Sequence, residues 1–170
     1  EEVGIIAQGK INGIEACCIG MNFNWAGGSV GHNFGECVIK AVETCTEKNL
    51  PLVIFTESGG ARMMEGAISL MQLPRMTVAL QLFKDMKPRQ VSVLVACSPT
   101  TGGLSASLAN ICDITLAESK TDIIAFSGRR VIMGTLGAQE EIPDDFQTAI
   151  SAKNNGFLDD IVERPYQREK

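Results

Sequence analysis

Two strand-like apolar runs, each followed by a Gly-Gly turn, constrain the fold of this chain most strongly. The segment "LVIFTESGGAR" contains Gly59 and Gly60, and "VLVACSPTTGGLSAS" contains Gly102 and Gly103. In both segments an apolar run of strand length stops at a polar turn. After the glycines, apolar residues recur at the spacing of a helix. This alternation predicts an α/β fold with a mainly parallel sheet, in which equivalent turns lie side by side.

In the rest of the chain, shorter apolar runs predict strands, and apolar residues at helical spacing predict helices. Strands are predicted at residues 3–8, 14–24, 50–55, 91–98, 113–117, 122–126 and 157–164. Helices are predicted at residues 36–48, 61–87, 129–138 and 144–155, with another beginning within 100–110. The glycine-rich residues 25–35 are predicted to form a loop.

The longest predicted helix contains a proline and many apolar side chains. Pro74 is predicted to break or kink it, because proline removes a backbone donor. The helix is predicted from apolar residues at helical spacing, namely Met64, Ile68, Met71, Val78, Leu82 and Met86. The methionines are predicted to be core residues, namely those at positions 63, 64, 71, 76 and 86.

Length and composition exclude several classes of protein. A chain of 170 residues with 45% hydrophobic residues suits a single domain over residues 1–170 with a substantial core. A net charge of −5 and only 5% aromatic residues disfavour a nucleic-acid surface. No run reaches the roughly 20 apolar residues of a membrane helix, and no secretory leader is seen. Six cysteines without a CxxC pair and a single histidine predict buried, reduced thiols and no metal site.

The Gly-Gly turns suggest a chemistry that needs no side-chain nucleophile. A helix start leaves backbone N–H groups without internal partners, and the helix dipole adds partial positive charge there. Such a turn can stabilise an enolate or a tetrahedral oxyanion. The alternative is that each glycine pair merely ends a strand, and the two interpretations stay open. Neither turn matches a phosphate-binding P-loop or a dinucleotide-binding fingerprint.

Other candidate side chains form no recognised catalytic set. Ser58 and Ser98 precede the turns, but the G-x-S-x-G pattern is missing. His32 is predicted to have a loop or surface role. Arg62 and Glu65 are three residues apart on a predicted helix, which favours an ion pair that also supports the turn. The pair Arg129-Arg130 follows "FSG" and could either contact cofactor phosphates or be solvated.

Six motifs, in order along nearly the whole chain, resemble the carboxyltransferase β subunits of bacterial and plastid acetyl-CoA carboxylase. They are "WAGGSVG" (25–31), "SGGARMMEGAISLMQ" (58–72), "SVLVACSPTTGGLSASLA" (92–109), "IAFSGRRVI" (124–132), "IPDDFQTA" (142–149) and "NNGFLDDIVER" (154–164). The resemblance implies a ClpP/crotonase-like fold built from repeated ββα units. It also implies transfer of a carboxyl group from carboxybiotin to acetyl-CoA, giving malonyl-CoA through a thioester enolate that backbone N–H groups stabilise.

The same resemblance assigns roles to individual residues and implies partners. Gly102 and Gly103 would hold the thioester oxyanion, while Gly59 and Gly60 would shape the same pocket and could donate to it. The coenzyme A side of the site would be formed by Arg130, Arg129, Ala61 and Gly128. A carboxyltransferase α subunit and biotin on its carrier protein would complete an oligomeric enzyme in the cytoplasm or the plastid stroma.

Several departures from the family pattern keep two alternatives open. The printed sequence lacks the four-cysteine zinc ribbon that usually precedes this domain. Arg129 stands where the family has proline, and Met133 and Ile150 stand where it has glutamate. The first alternative is a biotin-independent decarboxylase of malonyl thioesters carried by coenzyme A or acyl carrier protein. The second is a diverged, non-catalytic subunit.

Overall fold

A computed structural model describes residues 3–120, 122–136 and 142–169, with only the backbone described at positions 129, 130 and 136. Seven strands in the described residues form one sheet. They are β1 (Gly4–Ile11), β2 (Ile14–Met21), β3 (Leu52–Ser58), β4 (Ser92–Thr101), β5 (Ile114–Ala117), β6 (Ile124–Ala125) and β7 (Asp160–Ile161). The α-helices are α1 (His32–Lys48), α2 (Ala67–Met86), α3 (Arg129–Leu136) and α4 (Ala149–Asn154).

The sheet is mixed but mainly parallel, as the sequence predicts. Its order is β1-β2-β3-β4-β5-β7, with β6 paired to the end of β4. Only β1 and β2 are antiparallel; the other pairings, including β3 with β4, are parallel. Because β3 and β4 are parallel neighbours, their carboxyl ends, and hence the two Gly-Gly turns, lie at the same edge of the sheet.

The main core lies where α1 and α2 pack with the central strands. Alternate residues of β3 are buried, from Leu52 and Ile54 to Thr56 and Ser58. The fully buried apolar side chains around them include Phe34, Val38, Met76, Leu80, Phe83 and Leu94. The six cysteines form no disulfide. Only Cys17 and Cys45 are fully buried, and burial raises the pKa of the Cys45 thiol to about 12.

The helix predicted at residues 36–48 begins four residues earlier, at His32. The preceding loop is correspondingly shorter and contains a 3₁₀ turn at Ala26–Gly28. The side chain of Glu65 accepts a hydrogen bond of 2.6 Å from the backbone N–H of His32, so a residue distant in sequence caps the helix. A local pattern cannot reveal such a cap.

The helix predicted at residues 61–87 differs from its prediction in three ways. It is preceded by a 3₁₀ turn at Met63–Glu65 and begins at Ala67. It continues through Pro74 without a break. The prediction that its methionines are core residues is largely wrong: of the five, only Met76 is buried. The residues that face inward also include the polar Ser69 and Gln72, so apolar character alone does not identify the buried face of this helix.

Several elements near the carboxyl end are shorter than predicted. The predicted helix at 144–155 is reduced to α4, which the Thr148 hydroxyl caps by accepting the N–H of Ser151 at 3.3 Å. The strand predicted at 157–164 is reduced to β7, and that predicted at 122–126 to β6. The helix after the second turn contains a π-helical segment at Ser105–Ala109. Residues 137 and 138, predicted as the end of a helix, lie outside the described residues.

Candidate active site at the two Gly-Gly turns

The two Gly-Gly turns are in backbone contact. The last pairing of β3 with β4 joins Ser58, one residue before the first turn's glycines, to Thr100, two residues before those of the second. Gly60 has φ +105° and Gly102 has φ +69°, conformations that L side chains rarely adopt. A Cβ atom added to Gly102 would lie 3.2 Å from the Cα of Gly60. The glycines are therefore required by the close approach of the two turns as well as by their backbone conformation.

Three of the four glycine N–H groups are already used within the fold. Gly59 donates to the carbonyl of Gly27 at 2.9 Å, and Gly60 donates to the hydroxyl of Ser58 at 3.1 Å. Gly102 donates to the carbonyl of Ala125 at 2.7 Å. Gly102 and Gly103, which were expected to act alike as oxyanion donors, therefore differ in whether their N–H groups are free to bind a ligand. In this conformation Gly102 shapes the turn, and only Gly103 keeps its N–H available.

Gly103 is the first residue of the helix that follows the second Gly-Gly turn, and its N–H has no acceptor among the described residues. The π-helical segment follows two residues later, and such segments occur frequently at functional sites. Leu73 of α2 covers the Cα of Gly103: an added Cβ would lie 2.2 Å from Leu73 Cδ1. A helix start with an unpaired N–H is a suitable donor to a developing negative charge.

Ala61 supplies a second N–H without an acceptor among the described residues. Its segment forms a parallel bridge with Val30, in which Val30 donates to Gly60 and Arg62 donates to Val30, both at 2.8 Å. Since backbone groups alternate along an extended chain, the N–H of Ala61 points away from Val30. Sequence reasoning placed Ala61 with the cofactor-binding residues and missed this donor, which only the bridge with Val30 reveals.

A network of polar contacts fixes the first turn, as the predicted Arg62–Glu65 pair suggested. Arg62 Nη1 lies 2.9 Å from Glu65 Oε1. Arg62 also donates to the hydroxyl of Ser29 at 3.1 Å and to its carbonyl at 3.0 Å. The His32 N–H and the Arg62 guanidinium together hold the pKa of Glu65 below its usual value. These contacts tie the turn to the loop before α1 and to the start of that helix.

Hydroxyl groups join the ends of β3 and β4. The hydroxyls of Thr56 and Thr100 are 3.0 Å apart, and Thr101 donates to the carbonyl of Ser58 at 3.0 Å. Ser58 is buried and donates to the carbonyl of Gly28 at 2.7 Å, while Ser98 accepts the N–H of Ile123. The two serines thus have structural partners.

The remaining candidate residues have surface or backbone roles in the described structure. His32 has an exposed side chain, and its Nε2 lies 3.9 Å from Glu36 Oε1. Gly128 accepts the N–H of Val131 at 2.9 Å where α3 begins. Arg129 and Arg130 are the first two residues of α3, so contact of their guanidinium groups with phosphate stays a prediction. Within the described ranges, no three His, Cys, Asp or Glu side chains are grouped as metal ligands.

Comparison with known proteins decides the family. Residues 2–167 match the model of the carboxyl transferase domain. The chain belongs to the carboxyl transferase family. It is 44% identical over 164 residues to the acetyl-coenzyme A carboxylase carboxyl transferase subunit beta of Rhizobium etli. That alignment covers 96% of this chain but 53% of the relative, so the chain spans about half the length of that carboxyl transferase subunit.

Solved structures of carboxyl transferase relatives and of a malonate decarboxylase share the fold. The chain superimposes with a TM-score of 0.82 on transcarboxylase 12S, solved with methylmalonyl-coenzyme A and methylmalonic acid bound. That match has 24% identity and covers 98% of this chain and 31% of the other. A Pseudomonas malonate decarboxylase hetero-tetramer in complex with malonate matches with a TM-score of 0.81 and 22% identity, over 94% of this chain and 61% of that chain. These similarities confirm the crotonase-like α/β fold.

Proposed function

We propose that this chain forms the acyl-thioester half of a carboxyltransferase, which moves a carboxyl group from carboxybiotin to acetyl-CoA to give malonyl-CoA. The observation that carries the proposal is the pair of unused N–H groups, those of Gly103 and Ala61, on two turns that touch. The similarity to the acetyl-coenzyme A carboxylase subunit of Rhizobium etli supports this choice of reaction.

The proposed chemistry follows from the charge that develops on the substrate. Removing a proton from the methyl group of an acetyl thioester leaves an enolate, whose negative charge rests largely on the thioester oxygen. Fixed N–H donors aimed at that oxygen stabilise the enolate without reorganising during the reaction. Gly103 is the stronger candidate donor because its N–H also lies at the positive end of a helix. Bound carboxybiotin would supply the carboxyl group.

The positions of the other glycines support the same assignment. The hydrogen bond from the N–H of Gly102 to the carbonyl of Ala125 holds the second turn against β6. The contact between Gly60 and Gly102 holds it against the first turn. Leu73 covers Gly103 and would keep water from one side of the donor. Coenzyme A would extend toward Gly128 and the basic start of α3, where Arg129 and Arg130 could meet its phosphates.

An apolar face of α2 that is uncovered in the described structure supports a second subunit in the proposed enzyme. We define the outward face of α2 as Ile68, Leu70, Met71, Val78, Leu82 and Met86, each more than half exposed. Patches of this kind mark interaction sites in soluble proteins. A carboxyltransferase α-type subunit is the proposed partner, with biotin arriving on a separate carrier protein.

The proposed compartment is the cytoplasm, or the stroma if the chain comes from a plastid. None of the helices in the described residues is long and apolar enough to cross a bilayer.

The reverse reaction tests the proposed function. The full chain is combined with an α-type subunit and malonyl-CoA, with and without biocytin as a soluble biotin substrate. In the reverse direction the C–C bond to the malonyl carboxylate breaks, the carboxyl group passes to biocytin, and the enolate takes up a proton to give acetyl-CoA. We expect acetyl-CoA to form only when biocytin is present. Biocytin-independent loss of malonyl-CoA would instead indicate a decarboxylase, and no turnover in an intact assembly would indicate a non-catalytic subunit.

A further inference from the structure

The side chain of Leu73 on α2 lies directly against the backbone of Gly103, the residue that carries the proposed oxyanion donor. A Cβ atom added to Gly103 would lie 2.2 Å from Leu73 Cδ1, 3.3 Å from Cγ and 3.4 Å from Cδ2. Gly103 is not among the described glycines with a positive φ, so its backbone conformation alone does not require glycine. The space that a side chain would need at this position is instead filled by Leu73.

Leu73 differs from the core residues of the same helix because it is only half-buried. Met76, Leu80 and Phe83 are fully buried, whereas Leu73 packs against the core with part of its side chain and keeps the rest accessible to solvent. It therefore presents an apolar surface beside a backbone N–H that has no acceptor among the described residues. A surface placed in this way limits the size of a bound group without taking part in the chemistry.

The geometry of a bound thioester would bring its acyl group to this surface. In the proposed reaction the thioester oxygen accepts hydrogen bonds from the N–H groups of Gly103 and Ala61. Since such a bond is about 2.9 Å long and two covalent bonds lie beyond it, the first carbon of the acyl chain lies within about 6 Å of the Gly103 nitrogen. Leu73 lies against the Cα atom next to that nitrogen. An acetyl group ends at this carbon, whereas a longer acyl group needs more space.

We propose that Leu73 is a specificity-determining residue that restricts the thioester to the acetyl group and excludes propionyl and longer acyl groups. This inference rests on the proposed function, because it requires Gly103 to hold the thioester oxygen. One methylene group in an apolar pocket changes kcat/KM by about 10–200-fold, and forcing extra carbon into a packed site is costly. If Leu73 only packs α2 against the second turn, its truncation affects all acyl groups equally.

Truncation of Leu73 tests this role in the assembly of the full chain with an α-type subunit and biocytin. Malonyl-CoA and methylmalonyl-CoA are compared as carboxyl donors. In each, the C–C bond to the free carboxylate breaks, the carboxyl group passes to biocytin, and the remaining carbon takes up a proton. The parent assembly should favour malonyl-CoA. We expect Leu73→Ala to raise the ratio of kcat/KM for methylmalonyl-CoA to that for malonyl-CoA by about tenfold or more.

Leu80→Ala is the matched control, because it removes the same atoms from a fully buried leucine of the same helix. It should lower Tm and leave the ratio unchanged. Leu73→Met conserves the side-chain volume and should keep the parent ratio. Leu73→Val removes fewer atoms and provides the same test if Leu73→Ala does not fold.

Thioester affinity separates this role from the proposed carboxyl transfer, because binding needs no turnover. Calorimetry of the full chain compares acetyl-CoA with propionyl-CoA, and Leu73→Ala should shift the relative affinity toward propionyl-CoA by about tenfold. This shift without biocytin-dependent turnover would contradict carboxyl transfer but support the role of Leu73. That role is overturned if the parent does not favour the acetyl compound, if Leu73→Ala affects both acyl groups equally, or if Leu80→Ala shifts the ratio as much.

Discussion

Glu65 is the residue on which three segments converge near the first Gly-Gly turn. Its carboxylate accepts the N–H that begins α1 and pairs with Arg62, which in turn holds the loop at Ser29. An added Cβ at Gly31 would lie 2.3 Å from Glu65 Oε1, so a side chain there would displace this carboxylate. One carboxylate therefore sets the position of the turn that carries Ala61.

Replacing this carboxylate should give a pH-dependent loss of stability. Because the folded protein lowers the pKa of Glu65, the carboxylate stabilises the fold above its unfolded pKa of about 4.3, and this contribution is lost as pH falls through the lowered folded pKa. We expect Glu65→Gln to lower the free energy of unfolding by about 1 kcal/mol near neutral pH. The difference from the parent chain should shrink in acid. Urea unfolding across this pH range is the measurement.

Glu47→Gln is the matched control, since Glu47 lies exposed near the end of α1. It should leave the free energy of unfolding within about 0.5 kcal/mol at every pH. Equal losses in the two variants, or a Glu65→Gln loss that does not change with pH, would contradict the role given to Glu65.

The residues of the candidate site could be predicted only in part. Strand-like runs ending in Gly-Gly identified both turns, because the chemical signal is local. The separation of Gly102 from Gly103 depends on the carbonyl of Ala125, which β6 brings beside the turn from more than twenty residues away. The N–H of Ala61 depends in the same way on pairing with Val30. Local patterns carry no information about such long-range backbone partners.

At the scale of elements, α2 shows why apolar character alone does not identify a buried face. Apolar residues occupy both sides of this helix, so its periodicity does not distinguish the core from an interface. Met76, Leu80 and Phe83 pack inside, whereas the outward face of α2 is equally apolar and exposed. The helix also continues through Pro74, where the missing backbone donor of proline predicts a break or a kink.

Two methionines of α2 provide a direct test of this assignment. Met76 is completely buried and Met71 is 58% exposed. We expect Met76→Ala to lower the free energy of unfolding by about 2–5 kcal/mol, because it leaves a cavity in the core. Met71→Ala should change it by less than about 0.5 kcal/mol. Denaturant unfolding of the full chain alone measures both, and similar losses would show that the two faces of α2 are wrongly assigned.

At the scale of the whole molecule, the order of strands and helices was largely predictable, and the shared fold of carboxyl transferase relatives agrees with it. Alternation of apolar strands and amphipathic helices is a property of the whole sequence and tolerates errors at element ends. The short elements after β5 were the least predictable, because β6 and β7 have two residues each and are defined by pairing with β4 and β5.

The uncovered face of α2 leads to a prediction about assembly. A charge placed on this face would be desolvated in the proposed contact with an α-type subunit but solvated in the separate chain. We therefore expect Leu82→Glu to weaken that association at least tenfold while leaving the Tm of the chain alone nearly unchanged. Sedimentation or light scattering of the mixture is the measurement. Lys40→Glu, on the exposed side of α1, is the control and should assemble normally. Normal assembly of Leu82→Glu would exclude this face as the contact.

The most direct test of the account replaces one backbone N–H by oxygen in the second turn. An amide-to-ester change at Gly103 removes the proposed oxyanion donor and adds no side chain, whereas the same change at Gly102 removes an N–H that already binds Ala125. Biocytin-dependent turnover of malonyl-CoA and Tm are measured for both assemblies. We expect the Gly103 ester to lower kcat by about 10²–10³-fold with little change in Tm. The Gly102 ester should lower Tm but retain most of the activity. Full activity in the Gly103 ester would contradict the donor role proposed for Gly103.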